Sequence, residues 1–159
     1  MSKNSITIEQ LNAACRQLEE MLSLGVTENY AIRQLELFAN AYAKFQVIGN
    51  VSPDHVGHYK LWSEAALALV KENPSARTAG LLRVEHGTPR RQFARLIYQQ
   101  WKTAELTETW MDLTLQKMWN VAVITVEEDR RLNKSARSKL FDSPFDRWRS
   151  SGIEVRDIS

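Results

Sequence analysis

Apolar residues recur at helical spacing through most of this 159-residue chain, and start signals precede nearly every run. Thr7 and Gln10 form a capping-box pattern, after which Leu11, Cys15, Leu18, Met21 and Leu22 share one face as far as Gly25. Thr27 precedes a second run presenting Ile32, Leu35, Phe38, Ala39, Tyr42 and Phe45, which stops before Gly49. Ser52-Pro53 opens a third, with proline where a first helical turn tolerates it, running through Trp62, Leu67 and Val70 to Asn73-Pro74. Residues 1–73 thus predict three amphipathic helices in a small bundle.

The pattern changes after Pro74. Leu81–His86 is short, apolar at its start and bounded by Gly80 and Gly87, which predicts a strand. Thr88-Pro89 starts a fourth helix through Trp101, and Thr107 a fifth through Trp119. Asn120–Thr125 contains the β-branched run of a second strand, and Thr125 with Glu128 repeats the capping box before a helix reaching about Lys139. Ser143-Pro144 begins a last short helix ended by Gly152, and residues 153–155 suit an edge strand. The expected fold is α+β and predominantly helical: a bundle over 1–73 packed on an α+β half over 74–159, forming one compact unit.

Composition narrows the class. With 43% hydrophobic and 25% charged residues the chain belongs with folded globular domains. Net charge is only +2, yet residues 1–76 carry 6 basic and 8 acidic groups, whereas residues 77–159 carry 15 and 11. A basic excess of this kind suits a polyanion, and no apolar stretch approaches the ~20 residues needed to span a bilayer. Cys15 is the one cysteine, so internal disulfides and cysteine-cluster zinc sites are excluded, and its place on an apolar face predicts burial. The first residues lack an apolar signal core, from which a cytoplasmic location is expected.

Candidate chemistry centres on Glu85-His86 at the end of the first predicted strand, followed by Pro89, Arg90 and Arg91. Imidazole, with a pKa of about 6.5, is suited to taking a proton from water. Carboxylates hold hard cations, and arginines at a helix start favour phosphate. Asn120 stands just before the second strand, and Asp129 lies in the first turns of the helix after it.

Over Val84 to about Lys139 this order of residues resembles the HNH, or ββα-metal, nucleases. The resemblance implies His86 as general base, Glu85 and Asp129 as ligands of Mg or Mn, and Asn120 as a structural residue between the strands. Two predicted helices separate His86 from Asn120, where a plain ββα-metal unit has a compact loop.

Phosphate contact is also expected from Arg90, Arg91, Arg130, Arg131 and Arg137; Trp148, beside Arg147 and Arg149, reads either as a stacking surface or as a tryptophan docked in the core, with the cations a solvated helix face. Asp54, His55 and His58 read either as a polar helix-start turn or as a second metal-binding set for zinc or nickel. The functional expectation is therefore nucleic-acid binding, with an HNH-like phosphodiester hydrolase site. The alternative is a non-catalytic helical protein that regulates or inhibits another macromolecule, with a protein partner and the same residues serving structure.

Overall fold

A computed structural model describes residues 5–49 and 55–159. In chain order its elements are α1 (Ile8–Ser23), α2 (Glu28–Ala31), α3 (Arg33–Ile48), a 3-10 turn (Val56–His58), β1 (Leu61–Ser63), α4 (Glu64–Glu72) and a second 3-10 turn (Pro74–Arg77). There follow β2 (Leu82–His86), α5 (Arg90–Thr103), α6 (Glu108–Met118), β3 (Val121–Thr125), α7 (Val126–Ser135), α8 (Pro144–Ser150) and β4 (Val155–Asp157). The fold is α+β and mainly helical. Among the described residues no helix is long and apolar enough to cross a membrane.

The chain divides into two compact units, and each is interrupted in sequence. One comprises Met1–Ser52 with Arg90–Gln116; the other comprises Pro53–Pro89 with Lys117–Ser159. The division is not the one expected from the pattern change at Pro74, because α5 and its neighbours join the N-terminal helices while β1 and α4 join the sheet.

In the first unit α1 packs on α3, and α5 packs on both. Leu11, Cys15 and Leu18 from α1, Leu35 and Ala39 from α3, and Ala94 and Ile97 from α5 are all buried. Both halves of the Thr7–Gln10 capping box form. Burial pushes the Cys15 thiol up to about 12, so it is a small apolar group and not a thiolate at neutral pH. Asn12 is buried among these apolar residues and fully used: its Nδ2 donates to Leu106 O (3.1 Å), and its Oδ1 accepts from Leu106 N (2.8 Å). That exchange fastens the turn between α5 and α6 to α1, satisfying backbone groups that burial would otherwise leave unpaired.

The second unit holds a four-stranded sheet in the order β2-β3-β1-β4. β2 and β3 are antiparallel in the register Leu82↔Thr125 to His86↔Val121; β1 runs parallel to β3 and antiparallel to β4. Its core joins Ala122 and Ile124 of β3, Leu132 and Ala136 at α7, Trp148 of α8 and Ile153. Thr125 ends β3 and caps α7, and the Glu128 carboxylate accepts from Thr125 N (2.9 Å), Thr125 Oγ1 (3.2 Å) and Ser63 Oγ (2.6 Å). Ser63 in turn caps α4 by accepting from Ala66 N. One buried carboxylate therefore joins the ends of two parallel strands and the starts of two helices.

Three sequence expectations are corrected here. The run from Ser52 to Asn73 is not one helix: Leu61, Trp62 and Ser63 pair with β3 and β4, and the helix starts only at Glu64 (Ser52-Pro53 and Asp54 lie outside the described residues). Trp62 at a helical spacing is also a good strand residue, and strand pairing decides. The second helix breaks at Ile32, giving α2 and α3. The helix expected to reach Lys139 stops at Ser135.

Gly87 shows how tightly β2 meets α8. A Cβ there would overlap Pro144 and lie 3.0 Å from Trp148 Cζ2. Because the obstructing atoms belong to a helix backbone and a buried indole, Gly87→Ala is expected to cost about 1–3 kcal/mol, measured by chemical denaturation. An unchanged midpoint would mean that α8 shifts away freely.

Candidate functional site

Ladder pairing extends to His86, so Glu85 and His86 leave β2 on opposite faces. Their surroundings differ accordingly. The Glu85 carboxylate is on the side of α8, where its Oε1 accepts from Arg147 Nη1 at 2.9 Å. The His86 ring stands edge-on to Trp119 with centroids 5.8 Å apart. An imidazole and a carboxylate adjacent in sequence are thus kept apart by the alternation of a strand, which the expectation of a shared water did not take into account.

Arg147 is the residue that sequence reasoning undervalued. Its side chain is 2% exposed, and its guanidinium is surrounded by acceptors. Nη1 donates to Glu85 and to His86 O (2.7 Å), Nε to Ala136 O (3.1 Å), and Nη2 to Arg137 O (3.2 Å). It therefore ties the end of β2 and the exit of α7 to α8. The visible signal was an arginine in an otherwise apolar i, i+1, i+4 stripe, Pro144-Phe145-x-x-Trp148; it reads equally well as a surface charge until β2 is placed beside it.

Burial pushes the Glu85 carboxyl above the usual range; Arg147 pulls it back, and the negative charge of Asp129 adds to the upward push. The folded state thus holds this proton more tightly than the unfolded chain. The contribution is complete below the ordinary carboxylate pKa and declines as pH rises through the window up to the raised value. In thermal melts from acid to neutral pH, Glu85→Gln is expected to lose that part of the decline. Parallel pH curves for the two proteins would contradict it.

Asp129 is half-buried in the first turns of α7, and its Oδ1 accepts from Asn133 Nδ2 (3.1 Å). Its negative charge is felt at Glu85, where it adds to the upward push on that carboxyl. Among the described residues, no group of three or more His, Cys, Asp or Glu side chains is disposed to hold a metal ion. Asn120 acts through its backbone: its carbonyl accepts from Gly87 N at 2.8 Å and extends the β2–β3 ladder by one pair.

The expected phosphate-binding arginines separate into two groups. Arg90 and Arg91 begin α5 in the helical unit, where Arg91 pairs with Glu36 (3.3 Å) and donates to Asn29 (3.0 Å). Arg90 Nε is buried. Arg130, Arg131 and Arg137 are exposed in the sheet unit, with Lys134 and Lys139 beside them in sequence. On α7, position 134 is an i+4 neighbour of 130 and an i+3 neighbour of 131.

The contrast with the rest of the chain is informative. Arg16, Arg95, Arg149 and Arg156 each pair with a carboxylate. Arg33 and Arg77 lie over Tyr30 and Trp62, and Arg83 donates to the carbonyls of Gly80 and Leu82. Among the described residues none of Arg130, Arg131, Lys134, Arg137 or Lys139 forms an ion pair.

Trp148 and the His55–His58 pair each had two readings open. Trp148 is fully buried in the core and cannot stack on a base. His55 Nδ1 accepts from Gly57 N at 3.0 Å, capping the Val56–His58 turn, and the His55 and His58 rings are 5.7 Å apart. With its Nδ1 occupied, His55 serves the turn. A comparison with known protein families, characterised proteins and solved structures gives no match for this chain.

Proposed function

We propose that this chain is a cytoplasmic nucleic-acid-binding protein that contacts the phosphate backbone through the exposed cations of α7 and its exit. The observation supporting this reading is that Arg130, Arg131, Lys134, Arg137 and Lys139 are exposed and unpaired by carboxylates among the described residues, while most other arginines are engaged. Cations left in water are available to replace the counterions of a polyanion, and their release drives binding. In this reading Glu85 is the counter-ion of Arg147 and His86 is a strand-end residue.

A hydrolytic second reading draws on one observation, the antiparallel β2–β3 pair followed directly by α7, which carries Asp129. It assigns Glu85 and Asp129 to Mg or Mn and His86 to proton transfer. The two readings separate in one titration with labelled DNA and RNA, with and without chelator. The binding reading expects salt-sensitive complexes that survive chelation with no cleaved product. Mg- or Mn-dependent cleavage lost in His86→Ala, with the melting curve unchanged, would replace it with the hydrolytic one.

A further inference from the structure

β4 is the outermost strand of its sheet, beside β1. Glu154 O accepts from Glu64 N (2.9 Å) and Ile158 N donates to Lys60 O (2.8 Å), which with the pair Trp62↔Arg156 sets the phase of the ladder. The backbone groups of residues 154, 156 and 158 therefore turn towards β1, and those of Val155 and Asp157 turn outward. Side chains alternate as well. Val155 packs on the core of the sheet unit, while Glu154 and Arg156 share the other face and are exposed. An outward row of peptide groups is a template for another strand, and charged side chains along it discourage unwanted pairing.

We infer that β4 pairs antiparallel with β4 of a second copy of this chain, about a two-fold axis at Val155. The occupant follows from the order of charges along the strand. A two-fold axis through position 154, 156 or 157 sets Glu154, Arg156 or Asp157 against its own copy, and like charges directly opposite are destabilising. An axis between two residues matches an outward peptide group with one already bonded to β1. An axis through Val155 avoids both faults. It sets Glu154 of each copy against Arg156 of the other, and the two Val155 residues exchange their N–H and C=O groups across it. The charges that oppose the other registers thus select this one. Arg156 also pairs with Glu64 at 3.1 Å, but both side chains are more than half exposed, and so weak a pair leaves the guanidinium free to be shared. The pairing uses none of the cations of α7 and stands independently of the nucleic-acid reading.

The experiment is sedimentation equilibrium of the full chain from about 10 μM to 1 mM, the affinities proper to a small, transient interface. The wild type is expected to pass from monomer to dimer over that range. Glu154→Arg or Arg156→Glu sets like charges opposite each other at both contacts, and each should weaken self-association by roughly tenfold or more. Both positions are exposed, so the melting curves should stay close to that of the wild type. An equimolar mixture of the two single variants should regain the dimer, because one strand then carries only positive charge at 154 and 156 and the other only negative. The doubly exchanged chain, Glu154→Arg with Arg156→Glu, should dimerise as the wild type does. A wild type that stays monomeric at the top of the range, single variants that dimerise undiminished, or a mixture no better than its components would overturn the pairing.

Discussion

Replacing Arg147 with alanine is expected to remove about 3–5 kcal/mol of folding stability, the range seen when one partner of a buried charged pair is deleted. Total stabilities of single domains are about 5–15 kcal/mol, so this one change takes a large share. The cause is what remains behind. Glu85 keeps a carboxylate that is 22% exposed and has lost its counter-ion, and the carbonyls of His86, Ala136 and Arg137 lose their donor.

A double variant separates these contributions. Arg147→Met with Glu85→Leu removes both charges and fills much of the space, so the charge-related part should be regained. The carbonyl-related part should not, because methionine donates nothing. Denaturant midpoints at constant slope are the readout. A loss under about 1 kcal/mol in Arg147→Ala would mean that water replaces the guanidinium without difficulty.

Neutralising the five cations of α7 and its exit together is expected to weaken nucleic-acid binding by roughly a thousandfold or more near physiological salt, the scale set by losing several phosphate contacts. Arg130, Arg131, Lys134, Arg137 and Lys139 are exposed, so glutamine at each position should leave the melting curve almost unchanged. That combination distinguishes a binding face from a structural one. Arg147→Ala should unfold the protein readily, whereas the fivefold variant should fold and fail to bind. Retained affinity in the fivefold variant would assign the polyanion site elsewhere in the chain.

Much of the local structure was legible in the sequence, because it depends on near neighbours. The capping boxes at Thr7–Gln10 and Thr125–Glu128 form as their three-residue spacing implies, and Ser143-Pro144 starts α8. The two strands expected from their β-branched and apolar runs do pair antiparallel. What failed depends on distant partners. Leu61–Ser63 has a helical pattern but sits between β3 and β4, whose ladder groups it satisfies. The division into units escaped notice because α5 crosses to the N-terminal helices, a choice made by Phe93, Ala94 and Ile97 on its buried face.

The candidate site was legible in part for the same reason. Glu85 and His86 end β2 as expected, but strand alternation sends the ring and the carboxylate to opposite faces. Arg147, 62 positions from Glu85, occupies the carboxylate, and nothing in the local pattern announces a partner so remote. Trp148, for which the sequence left a stacking surface and a core residue both open, is a core residue. Its two flanking arginines kept the stacking reading open; its neighbours in space are Ile124, Leu132 and Ile153.

The most direct measurement is the affinity of the full chain for labelled DNA and RNA across a salt series in the presence of chelator. Five backbone contacts give a line of log affinity against log salt with a slope of roughly −4.5 on duplex DNA and about −3.5 on a single strand, unaffected by chelation. A flat line, or binding that appears only when Mg or Mn is added, would contradict a polyanion face on α7 and return attention to Glu85 and Asp129.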